Sequence, residues 1–196
     1  MPSEPIEEQR GRPRWPTVVS VCGFAIIMTV VLLVPRYLAS VQAAQHARCM
    51  SNLKQLHLAL LVYSDDYAGT YPPMDLTNPT LVGTMQLLRK YVPSATIMFC
   101  LGDHRPGAQA EADLKKLTPV NISYSYVPNV KRTDAPDSPV LLDRIYSTTK
   151  GSRWPSNGNH RTAGGNVVFN DGHGEWCTTL PRALKMSDGQ EFVLSP

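Results

Sequence analysis

Cysteine is scarce in this chain. The four thiols, Cys22, Cys49, Cys100 and Cys177, include no Cys-x-x-Cys pair, which leaves zinc-ribbon and thioredoxin-like readings without support. A run of like charge is also missing. Nineteen Lys and Arg against sixteen Asp and Glu leave a formal net charge of +3, with the basic residues scattered, so no nucleic-acid footprint is present. Ser123 and Ser125 are not set in a Gly-x-Ser-x-Gly elbow. Ala163-Gly164-Gly165 lacks the lysine and helix that would make it a phosphate loop. There is no internal repeat. These absences point away from an enzyme and away from a nucleic-acid partner.

What the chain does have is a long apolar run. Thr17 to Val34 is eighteen residues without a charge, just enough to cross a bilayer as a helix. Arg10, Arg12 and Arg14 precede it and, by the positive-inside tendency, keep the N-terminus cytoplasmic; Arg36 on the far side opposes this without reversing it. The competing reading is a cleaved signal peptide, with Val41-Gln42-Ala43 as a small-residue site. Against that, the run is longer than a usual signal-peptide core, and Arg36 and Tyr37 follow directly. The expected order is a cytoplasmic tail over 1–16, a transmembrane helix over 17–34, a stalk helix over 35–66 and an extracytoplasmic head over 67–196. A lipid bilayer is the first expected partner.

Pro35 removes a backbone donor and predicts a kink at the end of the membrane segment. Beyond it, Leu38, Val41, Gln45, Cys49, Leu53, Leu56, Leu60 and Tyr63 recur at steps of three and four, a helical face that becomes strongly apolar only after Cys49. Packing against the head is expected to begin there, with Gly69 closing the helix; Asp65 and Asp66 are read as termination and solvation, not as paired acids. Most of the seventeen prolines and thirteen glycines follow Tyr71, so the head reads as loop-rich with short strands. Leu81 to Val92 has helical spacing, and Ile97-Met98-Phe99-Cys100 reads as a strand or extended link. A helical turn is expected around Ala110 to Leu117. Ile122, Tyr124 and Tyr126 alternate with Ser123 and Ser125 as a half-buried strand would. Val140-Leu141-Leu142 and Val167-Val168-Phe169 read as buried strands. Gly174 to Thr178 would pair back after a turn at Asp171-Gly172, and Phe192-Val193-Leu194 would make a last edge strand. The fold class is α+β: a long helix packed on a small antiparallel sheet.

Cys22 is a small hydrophobe within the apolar run. Cys49, Cys100 and Cys177 would face an oxidising compartment, where three thiols leave one over and the sequence does not choose the pair. The pairing of Cys49 with Cys100 is favoured because it would tie the stalk to the head. Asp143, His160, Asp171 and His173 are candidate metal ligands: imidazole with carboxylate suits zinc or manganese, and carboxylates with carbonyls suit calcium. The structural alternative is that Asn170-Asp171-Gly172 forms a turn and His160 satisfies a nearby backbone group.

Two segments resemble one bacterial group. Arg48-Cys49-Met50-Ser51-Asn52-Leu53-Lys54-Gln55-Leu56, continuing to Tyr63, Asp65, Asp66, Tyr67, Gly69, Tyr71, Pro72 and Pro73, is similar to the stalk-to-head junction of pseudopilin-like proteins. These have a prepilin-type N-terminus, a C-terminal His-x9-Asp-Gly motif and a head of unknown function. Asn159-His160 with Gly165-Asn166-Val167-Val168-Phe169-Asn170-Asp171-Gly172 resembles that group's C-terminal signature. Two departures stand out. Ten residues, not nine, separate His160 from Asp171, and no prepilin peptidase site is recognisable: Gly23-Phe24 offers the dipeptide, but Met28 replaces the expected acidic residue. The resemblance implies a pilin-like protein in the bacterial inner membrane, unprocessed and permanently anchored, with a periplasmic head. Its implied partners are other membrane helices or components of type II secretion or pilus-related machinery. It also implies calcium as a cofactor, bound in the head as in related major pseudopilins. The alternative function is an anchored or secreted module that binds metal or glycan.

Overall fold

The computed structural model describes residues 15–73, 80–145, 154, 156 and 158–181. Residues 1–14 of the expected tail over 1–16 and the expected edge strand Phe192-Val193-Leu194 lie outside the described residues; the helix begins at Trp15, inside the expected tail. The chain divides into two compact units, Met1–Gln42 and Ala43–Pro196.

The first unit holds the beginning of helix α1 (Trp15–Asp66). Helical structure continues through Pro35, where a kink was expected. A proline removes one donor from the ladder, and here the neighbouring turns carry on past it. Val19, Val21, Phe24, Ile27 and Leu33, spread all round the helix at 3.6 residues per turn, are each more than half exposed. A helix that is apolar on every side is suited to lipid or to the core of a helix bundle. It is long and apolar enough to cross a membrane once.

In the second unit, the remainder of α1 becomes one wall of a core. Cys49, Leu53, Leu56, Leu60 and Tyr63, spaced four, three, four and three residues apart, are all at most 5% exposed. Burying side chains of this kind contributes roughly 1.5–3 kcal/mol each. The helix ends at Asp66, and the Gly69 amide donates back to the Ser64 carbonyl at 2.8 Å. The helix thus begins to pack at Cys49, where the stripe becomes strongly apolar.

Opposite α1 lies a four-stranded antiparallel sheet in the order β1 (Tyr124–Tyr126), β2 (Pro139–Asp143), β3 (Gly165–Phe169), β4 (Gly174–Cys177). Side-chain alternation sorts the central strands: Leu141 and Val168 join the α1 core, whereas Leu142, Val167 and Phe169 form a second cluster with Ile145 and Trp154. A register shift between Pro139 and Leu141 places Val140 in the same cluster as its neighbour Leu141. Gly165 is required by close approach, since a Cβ there would lie 2.4 Å from the Trp154 ring. Gly172 (φ 84°) makes the β3–β4 turn, with its amide bonded to the Phe169 carbonyl at 2.9 Å.

Three expectations are corrected. β1 is not half-buried: Ser123 and Ser125 are fully enclosed along with the tyrosines, because Ser125 lies opposite Leu142 on the face that carries the second apolar cluster, and the Ser123 hydroxyl is bonded to the buried Asp103. The helix expected to reach Val92 is α2 (Leu81–Leu87) tightening into a 3₁₀ turn that ends at Lys90. Pro93 disfavours helical geometry at the residue before it. Ile97 and Met98 lie in a 3₁₀ turn (Ala95–Met98) capped by the Ser94 hydroxyl, which accepts from the Thr96 amide at 3.2 Å, and Phe99 after it is extended.

Cys49 and Cys100 are joined in a disulfide, with Cα atoms 5.3 Å apart, closing 51 residues of sequence. It pins α1 to the loop that leads into β1. By loop-closure entropy such a bond stabilises the fold by about 4 kcal/mol. The expected outcome for Cys100→Ser in the full chain in detergent is a loss of that size in denaturant unfolding, and treatment with a phosphine reductant should reproduce it in the wild type.

Candidate functional site

The candidate site is built on the Asp143 carboxylate at the end of β2. Asp143 is 1% exposed, and its oxygens accept from the Asn159 side chain at 2.9 Å, the Asn166 amide at 2.6 Å and the Asn166 side chain at 3.0 Å. His160 brings Nε2 to 3.3 Å from the same carboxylate. Each donor comes from a different local constraint. Asn166 is the second residue of β3, held opposite Trp176 of β4, and Asn159 and His160 precede the 3₁₀ turn (Arg161–Ala163) that leads into β3. The Asn166 side chain also donates to the His46 carbonyl of α1 at 3.4 Å. The site is therefore where helix, β2 and β3 meet.

Aromatic rings cover it. His46 stacks on Trp176 with centroids 4.0 Å apart and meets His160 edge-on at 4.4 Å. Burial and the neighbouring His160 push the His46 pKa down, and Asp143 opposes them. The Cys100 sulfur lies 3.7 Å from His160 Nε2.

A second buried carboxylate is linked to the first through Ser123. The Ser123 carbonyl accepts from Asn159, and its hydroxyl donates to Asp103 at 2.8 Å. Asp103 also takes charge-assisted bonds from Arg144 at 2.6 Å and Arg105 at 2.8 Å, and the Asp103 and Arg144 side chains are fully enclosed. Burial would raise the Asp103 pKa, but hydrogen bonds from Arg105, Arg144 and Ser123 overcome it and hold the carboxyl at about 2.

The four residues expected to share one cation occupy two places. Asp143 meets His160 beside His46, whereas Asp171 meets His173 at the β3–β4 turn, next to Gly172, which packs on His57. Eleven residues of helix separate His46 from His57, about 16 Å of rise, so no single ion spans both pairs. At the turn, the Asp171 carboxylate accepts from the His173 amide at 2.9 Å as well as meeting its ring. His57 is 2% exposed and its pKa is lowered by burial, against opposing contributions from the Asn170 backbone and Asp171. The adjacent Asn170 is an organiser: its side chain accepts from the Tyr71 hydroxyl and donates to the carbonyls of Lys131 and Asp134.

The residues of the two family-like segments mostly serve packing. Asn52 donates to the Phe99 carbonyl at 3.0 Å, and the Pro72 carbonyl accepts from the Tyr126 hydroxyl at 2.8 Å. Leu53 and Phe169 are core, Pro73, Lys54 and Gln55 are exposed, and Lys54 lies along Gly174. Sequence reasoning missed Asp103, Arg105, Arg144, His46 and Trp176. The available signal was Asp143-Arg144 inside the apolar run from Val140 to Ile145, a setting in which charges are buried only with partners.

Chemically, the arrangement neutralises buried carboxylates with amides and guanidinium groups. The sulfur nearest His160 is tied in a disulfide and is no nucleophile. Comparison with protein-family models, with curated proteins and with solved structures finds no match for this chain.

Asp103 sets an acid limit on stability. Its folded pKa of about 2 lies below the ordinary aspartate value of 3.8, so its contribution is complete above about pH 4 and is lost as pH falls toward about 2. Asp103→Asn should destabilise by about 3 kcal/mol at pH 7, because it removes the enclosed carboxylate that pairs with Arg144 and Arg105. The stability difference between variant and wild type should shrink between pH 4 and pH 2. Acid titrations followed by circular dichroism check this; a difference that does not change with pH assigns the acid sensitivity elsewhere.

Proposed function

We propose that this protein is a single-pass, pseudopilin-like protein of a bacterial inner membrane. The carrying observation is that one helix, α1, contains both an uncharged segment apolar on all sides and the wall of the head's core. An exposed apolar surface of that extent needs lipid or other helices to cover it. Arg10, Arg12 and Arg14 support a cytoplasmic N-terminus and a periplasmic head, and the Cys49–Cys100 bond suits an oxidising compartment. The likeness of the Cys49-to-Pro73 and Asn159-to-Gly172 segments supports contact with secretion or pilus-related machinery.

The role is structural: the anchor holds the head at the membrane surface, and the head selects the partner. The buried polar residues serve this by making the head rigid, so that the exposed surface keeps one shape.

Alkaline carbonate washing of native-host membranes, followed by intact-mass analysis, tests the reading. The expected result is a membrane pellet holding the unprocessed chain, since no acidic residue follows Gly23-Phe24 at the expected position. A soluble product beginning at Ala44 would overturn it, because the apolar segment would then be a removed signal peptide.

A further inference from the structure

We propose that reduction of the Cys49–Cys100 bond converts this corner of the head into a binding site for a thiophilic divalent metal ion, with Cys49, Cys100 and His160 as ligands. The inference uses head residues only and does not rest on the membrane reading.

Three donor atoms, the two sulfurs and one His160 ring nitrogen, lie within 4.8 Å of one another. Tetrahedral zinc, with metal–sulfur bonds of about 2.3 Å and metal–nitrogen bonds of about 2.05 Å, requires its sulfur and nitrogen ligands to stand about 3.6 Å apart. The distance from Cys100 Sγ to His160 Nε2 is 3.7 Å. A nitrogen and a carboxylate oxygen on the same ion would stand about 3.4 Å apart. His160 Nε2 is 3.3 Å from Asp143 Oδ2, the spacing from His160 that a fourth ligand needs, but Asp143 lies outside the group of donors within 4.8 Å of one another, so the carboxylate must turn toward the sulfurs to complete the set. The sulfurs must separate to about 3.8 Å, a movement that side-chain rotation supplies without displacing the backbone.

The imidazole is already held in place. The Trp176 ring meets it at 5.3 Å and His46 at 4.4 Å, and Gly102 leaves no room on a further side, since a Cβ there would lie 3.0 Å from the ring. Two thiolates with one imidazole and a carboxylate form a donor set suited to zinc rather than to calcium or magnesium.

The chemistry balances as follows. A dithiol reductant transfers two electrons and two protons to the disulfide and is itself oxidised to a disulfide; the Cys49–Cys100 bond breaks and two thiols form. Metal binding then displaces one proton from each thiol to solvent. The Nε2 lone pair becomes available when the ring proton sits on Nδ1, and the Asp143 oxygen exchanges its imidazole contact for the ion. A small-molecule disulfide, taking two electrons from the thiolates and leaving as two thiols, reverses the sequence and expels the metal, so the same two sulfurs serve either as a staple or as ligands. Both cysteines are buried, so reduction proceeds through an opening of the contact between α1 and the Cys100 loop.

The test uses the full chain in detergent micelles, reduced with a phosphine, and titrated with Co²⁺ alone as the spectroscopic probe. The expected result is one Co²⁺ per chain with a thiolate-to-cobalt charge-transfer band, displaced by equimolar Zn²⁺ and absent from the oxidised protein. His160→Ala should weaken Co²⁺ binding by about tenfold or more, and a Cys22→Ser, Cys177→Ser double variant should leave it unchanged. The proposal is overturned if the reduced wild type gives no charge-transfer band, if His160→Ala binds with wild-type affinity, or if the double variant loses the signal. Should reduction unfold the head, recovery of the wild-type circular dichroism on adding Zn²⁺ supports the site, and failure to recover counts against it.

Discussion

The face of α1 that carries Cys49, Leu53, Leu56, Leu60 and Tyr63 is the constraint on which the head depends. Four short strands of three to five residues cannot exclude water from both of their faces without a partner. The helix covers one face. On the other, Leu142, Val167, Phe169 and Ile145 are closed over by Trp154, whose ring lies so near Gly165 that no side chain fits there. The disulfide sets the axial position of the helix against the loop before β1, and the hydrophobic stripe sets its rotation. Together these leave the helix one way to lie on the sheet.

Buried polar groups complete that placement. An apolar interface alone tolerates sliding by a turn, because its energy depends on area more than on direction. The links from Asn166 to the His46 carbonyl and from Asn52 to the Phe99 carbonyl are directional and exist in one register only. Asp143 and Asp103 play the same part within the head. Each carboxylate gathers donors from segments distant in sequence, and Ser123 joins the two sets. Losing a donor would leave an enclosed carboxylate less well compensated, so the network resists partial opening. The cluster of His160, Asp143 and the two sulfurs sits at the meeting point of these restraints, and that is why its geometry is close enough to matter chemically.

Much of the architecture was legible because it follows from period and punctuation. The eighteen uncharged residues, the three-four spacing after Cys49, the apolar runs at Val140 and Val167 and the Asp171-Gly172 turn each carry a local signal that the structure follows. The errors have physical causes. Alternation at Ile122 to Tyr126 signals two unlike faces, but it does not say that the polar face is wet; Ser123 and Ser125 are enclosed by partners drawn from elsewhere in the chain. Two His and two Asp, suitable as ligands of one ion, suggested one site, but β3 intervenes and carries Asp171 and His173 to its far end.

The sequence by itself determined that this chain has one uncharged helix long enough for a bilayer, a helix face able to bury itself, and a small sheet rich in turns, because these depend on contiguous residues. Only the tertiary structure decided which cysteines join, which carboxylates are enclosed, and that His160 faces Asp143 and Cys100 rather than Asp171. Those outcomes depend on distances between segments dozens of residues apart, and such distances are set by packing, which no local pattern encodes.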